Sequence, residues 1–196
     1  RPIGNVEMGP YYNTFSFNKV EGARLRIGGR TSDLFSKWYE LSGFVAYGTT
    51  DERFKYSLGM RSFITKDPRQ LVSLKYKNDV EILGQSQNAF TQDNILASVF
   101  RKSPLTNLTN VQQVIGYYER QWFSGFNTKV SFVNRNMSPL GGNRYEFFRY
   151  DGSKGYKENI ITSEVKLLTR LAYDEKYIDG TFSRTSLGTK YPVLNI

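Results

Sequence analysis

Apolar and polar residues alternate along most of this chain. In GARLRIGGRT, residues 22–31, Ala23, Leu25 and Ile27 alternate with Arg24, Arg26 and Gly28. A period of two marks a strand, here with one apolar and one cationic face. Residues 38–48 place Tyr39, Leu41, Gly43, Val45 and Tyr47 on one face and Glu40, Ser42, Phe44 and Ala46 on the other. Residues 53–65 set Phe54, Tyr56, Leu58 and Met60 against Lys55, Ser57, Gly59 and Arg61. Residues 71–77 repeat the pattern. So do residues 126–134, with Phe126, Val130 and Phe132 opposite Asn127, Lys129 and Ser131, and residues 159–171, with Ile161, Val165 and Leu167 opposite Glu164 and Lys166. Further strands are expected at 11–17, at 111–121 and from near Tyr191, about nine in all.

The connections are very unequal. Residues 49–52 and 66–69 (KDPR) are tight turns, and WFSG separates two long strands. Residues 78–108 and 135–158 read instead as long loops, the first with a short helix possible over QDNILASVF. Long antiparallel strands joined alternately by short turns and long loops form the pattern of a transmembrane β-barrel, whose strands run about 9–11 residues. The fold expected is therefore all-β, an antiparallel transmembrane β-barrel, in part or whole, of about 8–10 strands. The alternative is a soluble all-β binding module with a basic solvent face, because one-sided sheets alternate too.

Composition narrows the chemistry. The 196 residues carry 27 Lys+Arg and 18 Asp+Glu, a formal net charge of +9. Aromatics make up 15% of residues, yet the mean hydropathy is −0.51, as suits strands that are apolar on alternate positions only. There is no Cys and no His, which removes thiolate and imidazole chemistry from both catalysis and metal binding. The adjacent acidic pairs Asp51-Glu52 and Asp174-Glu175 fall at strand ends, where polar turns are ordinary, so no catalytic residue, metal or cofactor is expected. Nucleic acid is not an expected partner either. A stacking platform needs cations and aromatics on one face, and around residues 24–27 and 55–60 they lie on opposite faces.

Three stretches carry a resemblance: FNKVEGARLRIGGRTS at 17–32, ELSGFVAYGTTDERFKYSLG at 40–59 and FSRTSLGTKYPVLNI at 182–196. They resemble the outer-membrane barrel of Bacteroidetes proteins of unknown function that carry a carboxypeptidase-regulatory-like domain ahead of the barrel. The likeness runs over nearly the whole chain and extends distantly to surface-antigen barrels that insert or secrete other proteins. It implies a bacterial outer-membrane location, with lipid and other envelope proteins or lipoproteins as partners, and a structural, transport or assembly role without enzymatic activity. No such regulatory-like domain stands in these 196 residues, and both ends read as the middle of something, so the chain is expected to be a barrel segment of a longer protein.

A barrel assigns each face a role. Arg24, Arg26, Arg30, Glu40, Lys55, Arg61, Lys129 and Glu164 are expected to face the lumen, with Arg24 and Arg26 paired to carboxylates such as Glu40 and Glu164. Leu25, Ile27, Tyr39, Leu41, Val45, Tyr56, Leu58, Val130 and Phe132 are expected to face lipid. An arginine in lipid costs a few kcal/mol, which fixes the register. Tyr11, Tyr12, Trp38, Tyr39, Tyr47, Trp122 and Phe123, near strand ends, are candidates for interfacial girdles.

Overall fold

The computed structural model describes residues 2–9, 14–18, 20–82, 108–140 and 144–196. Every regular element among them is a strand. In chain order they are β1 (Pro2–Ile3), β2 (Val6–Met8), β3 (Phe15–Asn18), β4 (Gly22–Thr31), β5 (Tyr39–Gly48), β6 (Phe54–Thr65), β7 (Gln70–Ile82) and β8 (Leu108–Phe123). There follow β9 (Phe126–Pro139), β10 (Tyr145–Phe148), β11 (Lys154–Lys157), β12 (Ile160–Ala172), β13 (Lys176–Asp179), β14 (Arg184–Gly188) and β15 (Val193–Asn195).

Eleven of these form one sheet in the order β1-β2-β4-β5-β6-β7-β8-β9-β12-β15, with β3 also on β4. From β4 to β9 the sheet follows chain order, every neighbour antiparallel, as short reversals dictate. The hairpins β10–β11 and β13–β14 stand apart from it. Among the described residues the sheet does not close on itself: β1 pairs only with β2, and β15 only with β12. The barrel expectation is thus met as an antiparallel all-β sheet and no further.

Several boundaries move. Strands β7 and β9 continue to Ile82 and Pro139, into stretches expected as loop, because each stays paired with β8 along that length. The hairpin β10–β11 occupies much of the expected 135–158 loop. Strands β1 and β2, and the hairpin β13–β14, have too few residues to show a period. The short helix expected over residues 92–100 and the tyrosines Tyr11 and Tyr12 lie outside the described residues.

One end of the long strands holds residues 32–38, 66–69, 124–125 and 173–175; the other end holds the turn 49–53, the last residue of β7, the first of β8, the last of β9 and the first of β12. The first will be called the short-turn end and the second the long-loop end. The tightest reversal, Ser124-Gly125, has Gly125 at φ +88°, and a Cβ there would lie 2.2 Å from the Ala172 carbonyl oxygen. Only glycine suits both the turn and the approach of β12.

Candidate functional site

Directly opposed residues of an antiparallel pair share a face, so the ladders decide sidedness. Arg24 opposes Gly48, Arg26 opposes Ala46, Ala46 opposes Lys55, and Glu40 opposes Arg61. Arg61 opposes Ser73, Ser73 opposes Tyr117, and Glu119 opposes Lys129. Glu164 opposes Val133, two residues from Ser131, which opposes Tyr117. Arg24, Arg26, Arg30, Glu40, Lys55, Arg61, Lys129 and Glu164 therefore lie on one face. By the same ladders Leu25, Ile27, Tyr39, Leu41, Val45, Tyr56, Leu58, Val130 and Phe132 lie on the other.

Burial inverts the usual rule that charge lies outside. Arg24 and Lys55 are 3% and 2% exposed, whereas Ile27 and Leu58 are 69% and 67% exposed. The apolar face continues through Leu74, Ile161, Val165 and Leu167, all exposed.

The polar face is concave. Arg24 Nη2 lies 2.8 Å from Asp79 Oδ1, although β4 and β7 are three strands apart, about 14 Å along a flat sheet. The sheet must curl toward its charged side for the two to meet. Around this contact a buried network forms at the long-loop end. Lys55 Nζ is 2.9 Å from Glu21 Oε1 and 2.5 Å from Asp51 Oδ2, and Arg24 Nη1 is 3.5 Å from Glu21. Gly22, at φ +70°, turns the chain so that Glu21 enters this network; a Cβ on it would lie 2.2 Å from Thr50 Oγ1. The Val20-Glu21-Gly22 turn and the GTTDERFK segment thus meet in space.

Expected pairings change accordingly. Arg24 pairs with Glu21 and Asp79, not with Glu40 or Glu164. Glu40 is held by Arg61 at 2.6 Å and Arg30 at 3.6 Å, while Arg30 also reaches Glu7 at 2.7 Å. Glu164 pairs with its own strand neighbour Lys166 at 2.8 Å. The partners of Arg24 come from the chain just before β4 and from β7 rather than from distant β12. Two of the cations expected to face the lumen lie over rings: the Arg26 guanidinium is 3.7 Å from the Phe44 centroid, and Lys129 Nζ 4.0 Å from that of Tyr117.

The short-turn end is filled differently. Phe182, between β13 and β14, packs on Phe63 and Leu71 of the polar face, its ring 6.0 Å from that of Phe63. Arg69 donates to the Phe182 carbonyl at 3.4 Å, and Arg184 donates to Gln121 Oε1 at 2.8 Å. Glu175 accepts hydrogen bonds from Arg170 at 2.6 Å, from Tyr177 and from Ser186. The Arg170 guanidinium above all, then the two hydroxyls, holds the Glu175 carboxyl at about 2, against an ordinary 4.5. Asp51 and Glu175, read as turn residues, are thus structural ion-pair partners; their neighbours Glu52 and Asp174 both take φ +50°.

Aromatic pairs lie near both ends: Phe35–Tyr39, Phe123–Phe126 and Tyr173–Tyr191 at the short-turn end, Tyr47–Phe54 at the long-loop end. The Tyr173–Tyr191 contact, at 4.9 Å, and the Thr189 hydroxyl donating to the Tyr173 carbonyl return the LGTKYPVLNI segment to β12.

No curated protein and no solved structure matches the chain. A family model does, over residues 4–196, described as the family of unknown function (DUF5686) C-terminal domain. The chain belongs to that family.

Proposed function

With that membership as premise, we propose that this domain is an outer-membrane β-barrel segment with a structural, transport or assembly role in a Bacteroidetes-like envelope, and not an enzyme. One observation carries the reading: large aliphatic side chains cover the convex face, while the ion-paired side chains Arg24, Lys55, Glu21 and Glu40 are buried on the concave one. A soluble sheet buries its apolar face. Exposed apolar patches beyond a few hundred Å² mark an interaction surface, and a sheet-wide one of alternate residues suits lipid. The strands are long enough: about 9–11 tilted residues cross the hydrocarbon core, and β4 to β9 have 10 to 16. Bilayer lipid is the partner of the convex face, and unpaired edges in lipid cost several kcal/mol per polar group, so β15 and β1 are to be covered by further strands or another envelope protein.

Nitroxide labels on Leu25→Cys and Leu58→Cys in liposomes test this directly. Collisions with oxygen should exceed those with a polar nickel complex, and a label at Lys75→Cys should reverse the preference. A chain that stays monodisperse without detergent, with its Leu25 and Leu58 labels open to the nickel complex, would instead be the soluble binding module.

A further inference from the structure

We propose that Arg120, at the short-turn border of the convex face, binds the phosphodiester of a phospholipid headgroup. The site rests on the reading of that face as lipid-covered. Rows of opposed residues cross β7, β8, β9 and β12 on this face. Leu74, Gly116, Phe132 and Val165 form one row, and Val72, Tyr118, Val130 and Leu167 the next toward the short turns. Leu74, Phe132, Val165, Val72, Val130 and Leu167 are all exposed. The third row is polar: Gln70, Arg120, Thr128 and Thr169. The change from apolar to polar thus falls at one level on four strands, as the border of a hydrocarbon layer requires. Among the convex positions of β4 to β9 and β12, Arg120 is the one charged side chain. A cation on a lipid face is costly at the midplane and nearly neutral at the border.

The surroundings of Arg120 position it without satisfying it. Its guanidinium lies 4.0 Å from the Trp122 ring centroid. Trp122 is itself fixed, its indole Nε1 donating to Thr128 Oγ1 at 2.9 Å, and the Tyr118 hydroxyl donates to Gln70 Oε1 at 3.3 Å. Arg120 makes no ion pair among the described residues, and its Nε is buried without a hydrogen-bond partner. The adjacent carboxylate, Glu119, lies on the concave face and pairs with Arg69. A guanidinium carries five N–H donors and stays charged, and hydrocarbon offers it no acceptor. Stacking on the indole uses the flat face of the guanidinium. That leaves the in-plane fork, which matches two oxygens of one phosphate. Beyond the apolar rows the first acceptors are headgroup oxygens. Among these the phosphodiester is anionic, and a charge-assisted bond is roughly twice as strong as one to a neutral carbonyl or hydroxyl. A second cation stands at the same end, Lys66 Nζ lying 5.2 Å from the Trp38 ring centroid. Short turns are periplasmic in barrels of this kind, so the headgroup belongs to the periplasmic leaflet.

Quenching of Trp122 by bromine in the lipid chains tests the site. The chain has two tryptophans, so Trp38→Phe leaves Trp122 as the sole reporter. The full chain is reconstituted into bilayers that mix phosphatidylglycerol with digalactosyldiacylglycerol, a glycolipid without phosphate, and one lipid at a time carries dibrominated chains. Trp122 should select phosphatidylglycerol about fivefold in relative binding constant, the worth of one cation near a headgroup surface. Arg120→Gln should abolish the selection. Arg120→Lys, which keeps the charge and loses the fork, should reduce it. Lys166→Gln, on the concave face, should leave it unchanged. If Arg120→Gln fails to fold, the selection by the parent and its reduction in Arg120→Lys decide. Equal quenching by the two lipids in the parent, or a selection undiminished by the Arg120 substitutions, would overturn the proposal and leave the lipid-facing reading intact. Absence of quenching by either lipid would overturn both.

Discussion

The two ends of the concave face are closed by opposite means. At the long-loop end a buried ion network joins β4, the turn between β5 and β6, β6 and β7 through Glu21, Arg24, Asp51, Lys55 and Asp79. At the short-turn end a separate hairpin inserts Phe182 onto Phe63 and Leu71 and is tied down by Glu175 and Arg184. The network belongs to the sheet and cannot open without unfolding it. The hairpin touches the sheet through one ring and a few hydrogen bonds, so it is expected to release before the ladders do. A closure built into the sheet and one made by a docked hairpin therefore stand at opposite ends of the same surface.

The largest test of this contrast is Lys55→Met. It leaves Glu21 and Asp51 buried without their ammonium, and removing one partner of a buried pair costs about 3–5 kcal/mol. Guanidinium unfolding in detergent should show that loss in the global transition. Adding Glu21→Gln should recover part of it, since the two residues are coupled. A loss below about 1 kcal/mol would mean that water reaches the network as it does a surface pair.

Phe182→Ala should act at the other end and in another way. Truncating a buried Phe costs roughly 3 kcal/mol or more, but here the cost should fall on hairpin docking and leave the sheet's own transition in place. Limited proteolysis should cut residues 176–188 at least ten times faster while amide exchange in β5 and β6 is unchanged, an expectation drawn from local opening. A fall of both together would show the hairpin to be integral to the sheet.

Acid should discriminate the ends more gently. The Glu175 carboxyl is depressed to about 2 in the folded chain, against an ordinary 4.5. A depressed carboxyl contributes stability that is fully present above its unfolded value and is lost as pH falls through the folded one. Docking of the hairpin should therefore weaken steadily from about pH 4.5 down to about 2, and Glu175→Gln should flatten that dependence. The smallest effect is expected at Lys166→Ala, whose ion pair with Glu164 is exposed and screened by water, so the unfolding midpoint should stay where it is.

Sidedness was legible in the sequence because a strand has a side-chain period of two. Once Arg24 and Leu25 are given opposite faces, every residue of β4 follows; alternation within residues 39–48 does the same for β5, and the tight turns at 49–53 and 66–69 carry that assignment on to β6 and β7. What periodicity cannot carry is the distance between strands that are not neighbours. The Arg24–Asp79 contact depends on how strongly four strands curl together, and its two residues are 55 positions apart, 79 − 24. The docking of Phe182 depends on a hairpin of 4- and 5-residue strands, too short to register a period and held by partners as remote as Arg69. Local alternation determined which face each side chain takes, because that is a property of consecutive residues. Only the tertiary structure decided which charges meet, because curvature is a property of the whole sheet.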